Sequence, residues 1–384
     1  MLGRVRAGII EQPVAELLVE LGVGERMLAE RLVHDGVQLQ HRAGDRMVRH
    51  RIDFGALTAK SVTVYGQREL VRDLIERREA DGLPLHFGAE VTGVEGLDDD
   101  RVSIRCRGEA GETTITARYV DGAHGVTARL LDARDRQTLQ RSYPASWLGV
   151  LVAAAPPSHE LIYARHPEGF ALASMRTPEI SRLYLQVPAG DTLADWSEDR
   201  IWEQLHRRLD LPDSPVNEGR FLESSVTPLR SVVHRRMRFG RLFLGGDAAH
   251  VVPPSGAKGL NLAVADMARL SHGLGRALLR GDESALDGYQ EQCLRRVWQV
   301  THFSWWMTDL LHRLDADAFG EELRAEQLRT LADGGPLARW FADSYTGLPV
   351  AAWSARRASG GRPGRARTAV PAGAGRPVPA SGRA

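Results

Sequence analysis

The sequence predicts an α/β protein of about two domains, and three observations support this fold class. A short apolar strand over residues 241–244 leads through a glycine-containing turn into a long helix predicted over residues 259–280. A sheet-rich block over residues 147–187 lies between more helical regions. The chain has 384 residues, which is more than one small core holds, so this block is expected to form a domain of its own.

The composition indicates a globular enzyme rather than a nucleic-acid or membrane protein. The formal net charge is +1 and 43% of the residues are hydrophobic, so no excess of charge favours a polyanionic partner. The longest apolar run, residues 147–155, is too short to cross a bilayer, and no signal peptide is apparent. Cys106 and Cys293 form no C-x-x-C pair, so we expect no disulfide framework, no metal site and a reducing cytoplasm.

Hydrophobic periodicity predicts the positions of the other elements. Apolar residues at helical spacing predict helix over residues 13–32, with interruptions at Gly22 and Gly24. Ser197 is a suitable N-cap for a helix over residues 198–209. Further helices are predicted over residues 67–82, 282–314 and 321–333, and strands over residues 85–91, 101–106, 113–120, 149–152, 161–163, 170–174 and 181–187.

The composition changes from Val350 onwards. The last 35 residues hold seven arginines, six glycines and no acidic residue, and they have no periodic apolar face, so a disordered tail is predicted. Two other hypotheses are a basic arm that binds nucleic acid and translation from a shifted reading frame. No aromatic residue follows Trp353, which argues against the arm.

The strongest local pattern is residues 245–261, Gly-Gly-Asp-Ala-Ala-His-Val-Val-Pro-Pro-Ser-Gly-Ala-Lys-Gly-Leu-Asn. A strand delivers Asp247 to its carboxyl end, where the sites of α/β proteins lie. The helix that follows offers unpaired N–H groups and the positive end of its dipole, which favour an anion or an electron-rich ring edge. Asp247 can accept hydrogen bonds from sugar-like hydroxyls. The alternative is that Asp247 only caps the helix, but the length of the run favours a binding site.

This run resembles the flavin-contacting segment of the class A flavoprotein monooxygenases. The resemblance extends from Leu2 to Pro349 and is closest to the 4-hydroxybenzoate hydroxylase family, on residues 2–8, 63–67, 158–163, 169–172, 303–308 and 345–349. It implies an α/β fold with an FAD-binding Rossmann-like domain, an inserted sheet-rich substrate domain and C-terminal helices. The implied boundaries are residues 1–137 and 238–300 for the FAD domain, 138–237 for the substrate domain, 301–349 for the helical region and 350–384 for the tail.

The resemblance also implies FAD as the cofactor and NADPH or NADH as the cosubstrate. In the family, the position of Asp247 contacts the ribityl chain of FAD. The positions of Leu260 and Asn261 lie at the N1–C2 edge of the flavin ring, where a helix dipole stabilises the charge of reduced flavin. The cofactor-binding residues that it implies are Arg4, Arg6, Gln67, Asp121, Arg182, Asp247, Leu260 and Asn261.

Alternating residues on two predicted strands suggest a receptor for a carboxylate. Ser174 and Arg176 share one face of a strand, as do Arg182 and Tyr184 on the next. Arginine binds a carboxylate bidentately and hydroxyls complete its shell, whereas the alternative is a solvated sheet face. The resemblance implies that Ser174, Arg176 and Tyr184 bind the substrate carboxylate and that Arg182 supports the flavin.

The resemblance assigns the other end of the substrate to a proton relay. Tyr163 bonds the substrate 4-hydroxyl, Tyr345 bonds Tyr163, and His34 connects the chain to solvent. Each of the three alone is more simply a core aromatic or a surface histidine. A phenol of pKa about 10 must ionise near neutral pH, and a histidine-terminated chain gives its proton a route. Two substrate-binding positions complete this set, namely Pro254, whose carbonyl faces the substrate hydroxyl, and Ser255, which replaces the family's usual threonine.

Two departures from the family concern the cofactor domain. No G-x-G-x-x-G turn precedes Leu2, so we expect the FAD domain to lack its first β-α unit, which supplies N–H donors to the pyrophosphate. Residues 119–125 keep Asp121 and Gly122 but are three residues shorter than the family's segment.

The activity implied by the resemblance is the hydroxylation of 4-hydroxybenzoate to 3,4-dihydroxybenzoate with NAD(P)H and O2, in aromatic compound catabolism. The family also implies a cytoplasmic homodimer. Two alternatives stay open. One is a truncated, non-catalytic chain that cannot retain FAD, and the other is a hydroxylase of a different aromatic acid.

Overall fold

The computed structural model describes residues 8–109, 111–122, 137–315 and 317–350. The helices of these residues are α1 (Gln12–Glu20), α2 (Glu25–Glu30), α3 (Phe54–Thr58), α4 (Gln67–Ala80), α5 (Glu198–Leu209), α6 (Gly259–Arg280), α7 (Ser284–Asp287), α8 (Tyr289–Leu311), α9 (Ala318–Ala332) and α10 (Pro336–Thr346). The strands are β1 (Ile9–Glu11), β2 (Leu32–His34), β3 (Gly36–Ala43), β4 (Arg46–Asp53), β5 (Val62–Val64), β6 (Glu90–Glu95), β7 (Val102–Gly108), β8 (Gly111–Ala117), β9 (Val120–Gly122), β10 (Thr138–Val152), β11 (Ile162–His166), β12 (Gly169–Thr177), β13 (Ile180–Pro188), β14 (Phe221–His234), β15 (Arg238–Phe239), β16 (Leu242–Leu244) and β17 (His250–Val251).

One large sheet dominates the fold, with its strands in the order β17-β14-β10-β13-β12-β11-β3-β4. Neighbouring strands run antiparallel, except that β11 and β3 are parallel. Successive side chains of a strand point to opposite faces, so β10 sends Leu148 and Val150 to one face and Trp147 to the other. The first face packs against α5, and the second packs against α8, α9 and α10. The centre of the sheet is therefore buried on both sides.

Three small sheets complete the described part of the chain. The first holds β1, β5 and β2, with β5 in the middle. In the second, β15-β16-β9, the parallel strands β16 and β9 bring Leu244 and Gly122 to the same edge. The third holds β6, β7 and β8. Helix α6 leaves the edge of the second sheet and packs against the apolar cluster of α1 through Leu260 and Val264.

Several sequence predictions are confirmed residue by residue. Helix α6 covers residues 259–280 as predicted, and Gly281 closes it in the left-handed region at φ +68°. Ser197 caps α5, because its side chain accepts a hydrogen bond from the Arg200 N–H. Helices α1 and α2 are separated at Gly22 and Gly24, as the pattern predicts.

Other element predictions were wrong or incomplete. Residues 85–89 form no strand, because Gly88 turns the chain at φ +71° and β6 begins only at Glu90. The helix predicted over residues 282–314 is divided at Gly288 into α7 and α8. The β3–β4 hairpin, β14 and α10 were not predicted. The predicted tail beyond Val350 lies outside the described residues.

The predicted domain boundaries stay a prediction. The large sheet takes β3 and β4 from the part of the chain before residue 138, so the predicted substrate block does not contain all of its strands. Among the helices described, none combines the length and the apolar character that spanning a membrane requires.

Candidate active site

A pocket lies where the large sheet meets β1 and the turn before α6. It contains about 470 Å³ of space not filled by protein atoms, part of it open to solvent. Six of the predicted site residues line it, together with Trp147. These six are Tyr163, Ser174, Arg176, Arg182, Tyr184 and Pro254.

The wall formed by the sheet is aromatic. Tyr163, Leu172, Tyr184 and Gly149 lie side by side across four strands. Gly149 is required in this row, because a Cβ there would come within 2.7 Å of the Tyr184 ring. Trp147 packs beside Tyr184 with the ring centroids 4.9 Å apart. The row therefore presents aromatic and apolar groups on one side of the sheet. The sequence placed Trp147 only in a buried strand, and no motif marked it as a site residue.

Two arginines make part of the pocket strongly positive. The register between β12 and β13 shifts after Met175, which leaves Arg176 as the extra residue of a β-bulge and re-aims its side chain. Arg182 lies opposite Ser174, whose hydroxyl donates to the Arg182 carbonyl at 3.1 Å. Burial, and then the charge of Arg182, lower the pKa of Arg176 to about 10, so its guanidinium group remains charged near neutral pH. Two like charges in one pocket favour an anionic ligand group.

Tyr163 and Tyr345 form a buried pair, with their hydroxyl oxygens 2.7 Å apart. Tyr345 comes from α10 and stacks on Phe54 and Phe341. Burial raises the pKa of both phenols above the ordinary value, so both are protonated near neutral pH. Such a pair can pass a proton without holding a charge itself.

His34, the third predicted member of the relay, lies at the end of β2 and is buried. Burial lowers its pKa to about 4, so the ring is neutral near neutral pH. Neither ring nitrogen has a hydrogen-bond partner among the residues that the structure describes. The structure thus joins Tyr163 to Tyr345 directly, whereas the link from Tyr345 to His34 stays a prediction.

The turn over residues 245–250 follows β16 and carries Asp247, which is exposed. Gly246 adopts a left-handed conformation at φ +57°, and its N–H donates to the Asp266 carboxylate of α6 at 3.2 Å. Asp121 lies on β9, which runs parallel to β16 and ends at the same edge. Two of the predicted cofactor-binding carboxylates, Asp121 and Asp247, therefore come from neighbouring strand ends.

Helix α6 begins at Gly259 with no side-chain cap and no acidic residue in its first turn. A Cβ at Gly259 would have no contact within 4 Å beyond its chain neighbours and its own helix, so the helix start faces open space. Leu260 packs against the α1 cluster. Asn261 accepts from the Glu11 N–H at 2.9 Å and donates to the Ile9 carbonyl at 3.0 Å. Its side chain therefore holds β1 against the helix, which leaves the backbone N–H groups to meet a ligand.

Sequence reasoning missed a buried cation beside this helix start. Lys258 donates to the Glu11 carboxylate at 2.8 Å and to the Tyr345 carbonyl at 2.9 Å. Its ammonium also lies 5.2 Å from the centre of the Phe303 ring. Lys258 belongs to the glycine-rich run, but its partner Glu11 is 247 residues away, and no local pattern signals such a contact.

The remaining predicted residues fall in different places. Ser255 turns its hydroxyl away from the pocket and places it 2.9 Å from the Thr308 hydroxyl, so a ligand contact would use its backbone. Gln67 is the first residue of α4 and is half-buried. Arg4 and Arg6 lie outside the described residues.

This donor set fits a flavin. An open helix start, with the positive end of its dipole, suits the electron-rich edge of the ring. The carboxylates of Asp247 and Asp121 suit the hydroxyls of a ribityl chain or a ribose. A Cβ on Gly8 would come within 2.2 Å of the Tyr65 carbonyl oxygen, so only glycine fits where β1 enters the pocket.

Fold and site together indicate a flavoprotein with an aromatic pocket that contains two arginines. Comparison with known proteins agrees with this class. The FAD binding domain family matches residues 2–304. The p-hydroxybenzoate hydroxylase of Acinetobacter baylyi is 40% identical over 354 residues, which are 90% of this chain and 86% of that protein. The chain therefore belongs to the class A flavoprotein aromatic hydroxylases and is an FAD-dependent aromatic monooxygenase.

More distant proteins are similar in sequence or in fold. The aklavinone 12-hydroxylase of Streptomyces peucetius is 28% identical over 229 residues, which are 56% of this chain and 46% of that protein. The crystal structure of p-nitrophenol 4-monooxygenase from Pseudomonas putida superposes with a TM-score of 0.75 at 17% identity, covering 90% of this chain and 89% of that chain. This structural likeness supports the α/β architecture.

Proposed function

We propose that this enzyme hydroxylates 4-hydroxybenzoate at C3. The substrate, O2, NAD(P)H and a proton would give 3,4-dihydroxybenzoate, NAD(P)⁺ and water. The proposal rests on one observation, namely that a single aromatic pocket contains both a pair of arginines and the hydrogen-bonded Tyr163. The 40% identity to a protein named p-hydroxybenzoate hydroxylase supports the choice of substrate.

The arginine side of the pocket would hold the carboxylate. Arg176 would bind it bidentately, with the hydroxyls of Ser174 and Tyr184 completing its shell. Burial raises the pKa of Tyr184, so its phenol remains a neutral donor. Arg182 lies over the Tyr184 ring at 4.9 Å and would support the flavin from the same side.

The tyrosine side of the pocket would activate the ring. Tyr163 would accept the proton of the 4-hydroxyl and pass a proton to Tyr345, and from there it would reach His34 and solvent. The Pro254 carbonyl would face the same hydroxyl. The phenolate that results is richer in electrons than the phenol, which favours attack at C3 by an electrophilic oxygen.

The cofactor would lie between the pocket and the start of α6. Asp247, Asp121, Gln67, Leu260 and Asn261 would contact FAD from the described part of the chain, with Arg4 and Arg6 at the pyrophosphate. Bound FAD supplies the electron transfer from NAD(P)H to O2 and the oxygen transfer to the ring. The chain's own residues position the substrate, exclude water and move the phenolic proton.

The test begins with FAD-loaded protein from which unbound FAD has been removed by gel filtration. We expect retained flavin absorption bands that 4-hydroxybenzoate perturbs, and formation of 3,4-dihydroxybenzoate when NAD(P)H and air are supplied. Methyl 4-hydroxybenzoate, which lacks the charge, should bind at least about tenfold more weakly, because it cannot accept charge-assisted hydrogen bonds from the guanidinium groups through a carboxylate. A colourless protein, or flavin bands that respond equally to acid and ester, would contradict the proposal.

We also propose a cytoplasmic homodimer. Both cysteines, Cys106 and Cys293, are buried and free, which fits a reducing compartment. The side chains of Leu279 and Phe319 are large, apolar and exposed, which fits a surface that is partly covered in solution. Sedimentation equilibrium at micromolar concentration would test the dimer, and a monomeric mass would contradict it.

A further inference from the structure

The last turn of α8 is hydrogen-bonded to two walls of the pocket. The Thr308 hydroxyl lies 2.9 Å from the Ser255 hydroxyl, and Ser255 is next to Pro254. The Thr308 carbonyl lies 2.9 Å from Nδ1 of His312, whose Nε2 lies 2.6 Å from the indole nitrogen of Trp147. Pro254 and Trp147 both line the pocket. One helical turn is therefore connected to both walls.

The partners of His312 fix its tautomer. An indole N–H only donates and a carbonyl only accepts. Nε2 of His312 must therefore accept from Trp147, and Nδ1–H must donate to Thr308. Burial lowers the pKa of His312 to about 3, so the ring stays neutral in this role. Protonation would place an N–H against the indole N–H and break the contact.

Packing restrains the same group. The His312 ring stacks on Trp147 with centroids 5.8 Å apart and on Phe170 with centroids 4.3 Å apart. Arg165 donates to the carbonyls of Leu310 and His312 at 3.0 and 3.1 Å, which ties the end of α8 to the sheet. The His312 side chain is fully buried. The Trp147 indole is therefore held in position by the His312 ring, which is itself fixed by its packing and hydrogen bonds.

We propose that His312 is a positioning residue that sets the width of the pocket through Trp147, and that it thereby selects one aromatic ring over two fused rings. The ligand class, an aromatic carboxylate, rests on the proposed function. Without His312 Nε2 as its acceptor, the indole N–H of Trp147 would need another hydrogen-bond partner, and the indole would no longer be fixed beside Tyr184. A wider pocket would then discriminate less against a larger ring.

The main test compares two ligands on FAD-loaded protein by flavin absorption, 4-hydroxybenzoate and 6-hydroxy-2-naphthoate. His312→Phe keeps the stacked ring and removes the acceptor. The dissociation constant for 6-hydroxy-2-naphthoate, divided by that for 4-hydroxybenzoate, should therefore fall about tenfold. His41→Phe is the matched control. His41 is also buried, and its ring nitrogens lie 3.0 Å from the Arg42 carbonyl and from the His50 ring, but it does not line the pocket. A ratio that stays unchanged in His312→Phe, or that moves equally in His41→Phe, would overturn the inference.

Trp147→Phe removes the indole N–H while keeping an aromatic ring, and it should shift the ratio in the same direction. If His312 acts only through Trp147, adding His312→Phe to this variant should change the ratio by less than about twofold. If the two substitutions changed the ratio of dissociation constants independently, so that their effects multiplied, the role of His312 through Trp147 would be contradicted.

A ligand-free measurement separates this inference from the proposed function. In protein labelled with ¹⁵N-tryptophan, the indole N–H signal of Trp147, assigned through Trp147→Phe, should move in His312→Phe and stay in place in His41→Phe. An unmoved signal in His312→Phe would overturn the contact to Trp147. A wild-type protein that binds neither acid would instead overturn the substrate assignment, and with it the role in ring size.

Discussion

Burial shifts the pKa values of several titratable side chains around the pocket. It raises the pKa values of Tyr163 and Tyr345, and it lowers those of His34 and Arg176, to about 4 and about 10. Near neutral pH, the net charge of these groups is therefore confined to the arginine side. The tyrosine side is neutral but hydrogen-bonded. A molecule with a carboxylate at one end and a phenol at the other is complementary to this division.

At this residue scale, Tyr163→Phe should separate oxidation of NAD(P)H from hydroxylation. The variant keeps the ring that packs in the wall, so the pocket should still bind the acid. It loses the group that takes the phenolic proton, so the yield of 3,4-dihydroxybenzoate per NAD(P)H should fall by a factor of about 100, the range of general acid–base catalysis. Stopped-flow absorption and product chromatography measure both quantities.

Tyr143→Phe serves as the control for that experiment. Tyr143 is also buried, with its hydroxyl 3.1 Å from the Ser231 hydroxyl, but it does not line the pocket. It should lose only the stability of one hydrogen bond, about 1 kcal/mol. Equal product yields in Tyr163→Phe and the wild type would remove Tyr163 from the mechanism.

At the scale of elements, the joint between α6 and β1 positions the site. The side-chain amide of Asn261 hydrogen-bonds to the backbone of β1 through both its oxygen and its nitrogen. Lys258 donates a hydrogen bond to Glu11 of the same strand. The start of α6, which would face the flavin, is therefore fixed relative to the strand that enters the pocket. A change in this joint should affect folding and cofactor binding together.

Asn261→Ala should lower the free energy of unfolding by roughly 2–4 kcal/mol, because it leaves the Glu11 N–H and the Ile9 carbonyl buried without their partner. Urea unfolding measures this loss. Asn217→Ala is the matched control, since Asn217 is exposed and makes one hydrogen bond, to the Ala155 carbonyl at 2.9 Å. It should cost less than about 1 kcal/mol. Equal losses would contradict the importance of the joint.

The elements also show what the sequence could predict. Helix α6 and the cap of α5 were predictable, because local signals such as Gly281 and Ser197 set their ends. The pocket side of β12 and β13 followed from the alternation of side chains along a strand. The β3–β4 hairpin was missed although Gly44 and Asp45 form a two-residue hairpin turn, because its strands are rich in arginine, glutamine and histidine rather than in β-branched and aromatic residues. The bulge at Arg176 was missed too, since it depends on the register with β13 rather than on β12 itself.

On the scale of the whole molecule, buried neutral histidines should make the fold sensitive to acid. The folded-state pKa of His34 is about 4 and that of His312 about 3, below the ordinary value of 6.5. Below about pH 6.5 the unfolded chain takes up protons that the folded rings exclude. The contribution of these residues to stability is therefore complete above about pH 6.5 and falls as the pH falls towards 4.

His34→Leu should make the dependence of stability on pH less steep between about pH 6.5 and 4. The lowered pKa of His34 corresponds to a loss of roughly 3 kcal/mol across that interval, at about 1.4 kcal/mol for each pH unit. Urea unfolding at several pH values measures the slope. His86→Leu, at an exposed position, should leave the slope as it is in the wild type. An unchanged slope in His34→Leu would show that this ring is protonated equally in both states.

The bond between Lys258 and Glu11 joins residues 247 apart, and the pair Tyr163–Tyr345 joins residues 182 apart. On the ribosome, Glu11 of β1 emerges before Lys258, and Tyr163 of β11 emerges before Tyr345 of α10, so neither contact can form until its second residue has been synthesised. The pocket is therefore among the last parts of the nascent chain to form, after the local helices and hairpins. Translation stalled before residue 345 would leave a chain that has every residue lining the pocket but lacks the hydroxyl partner of Tyr163.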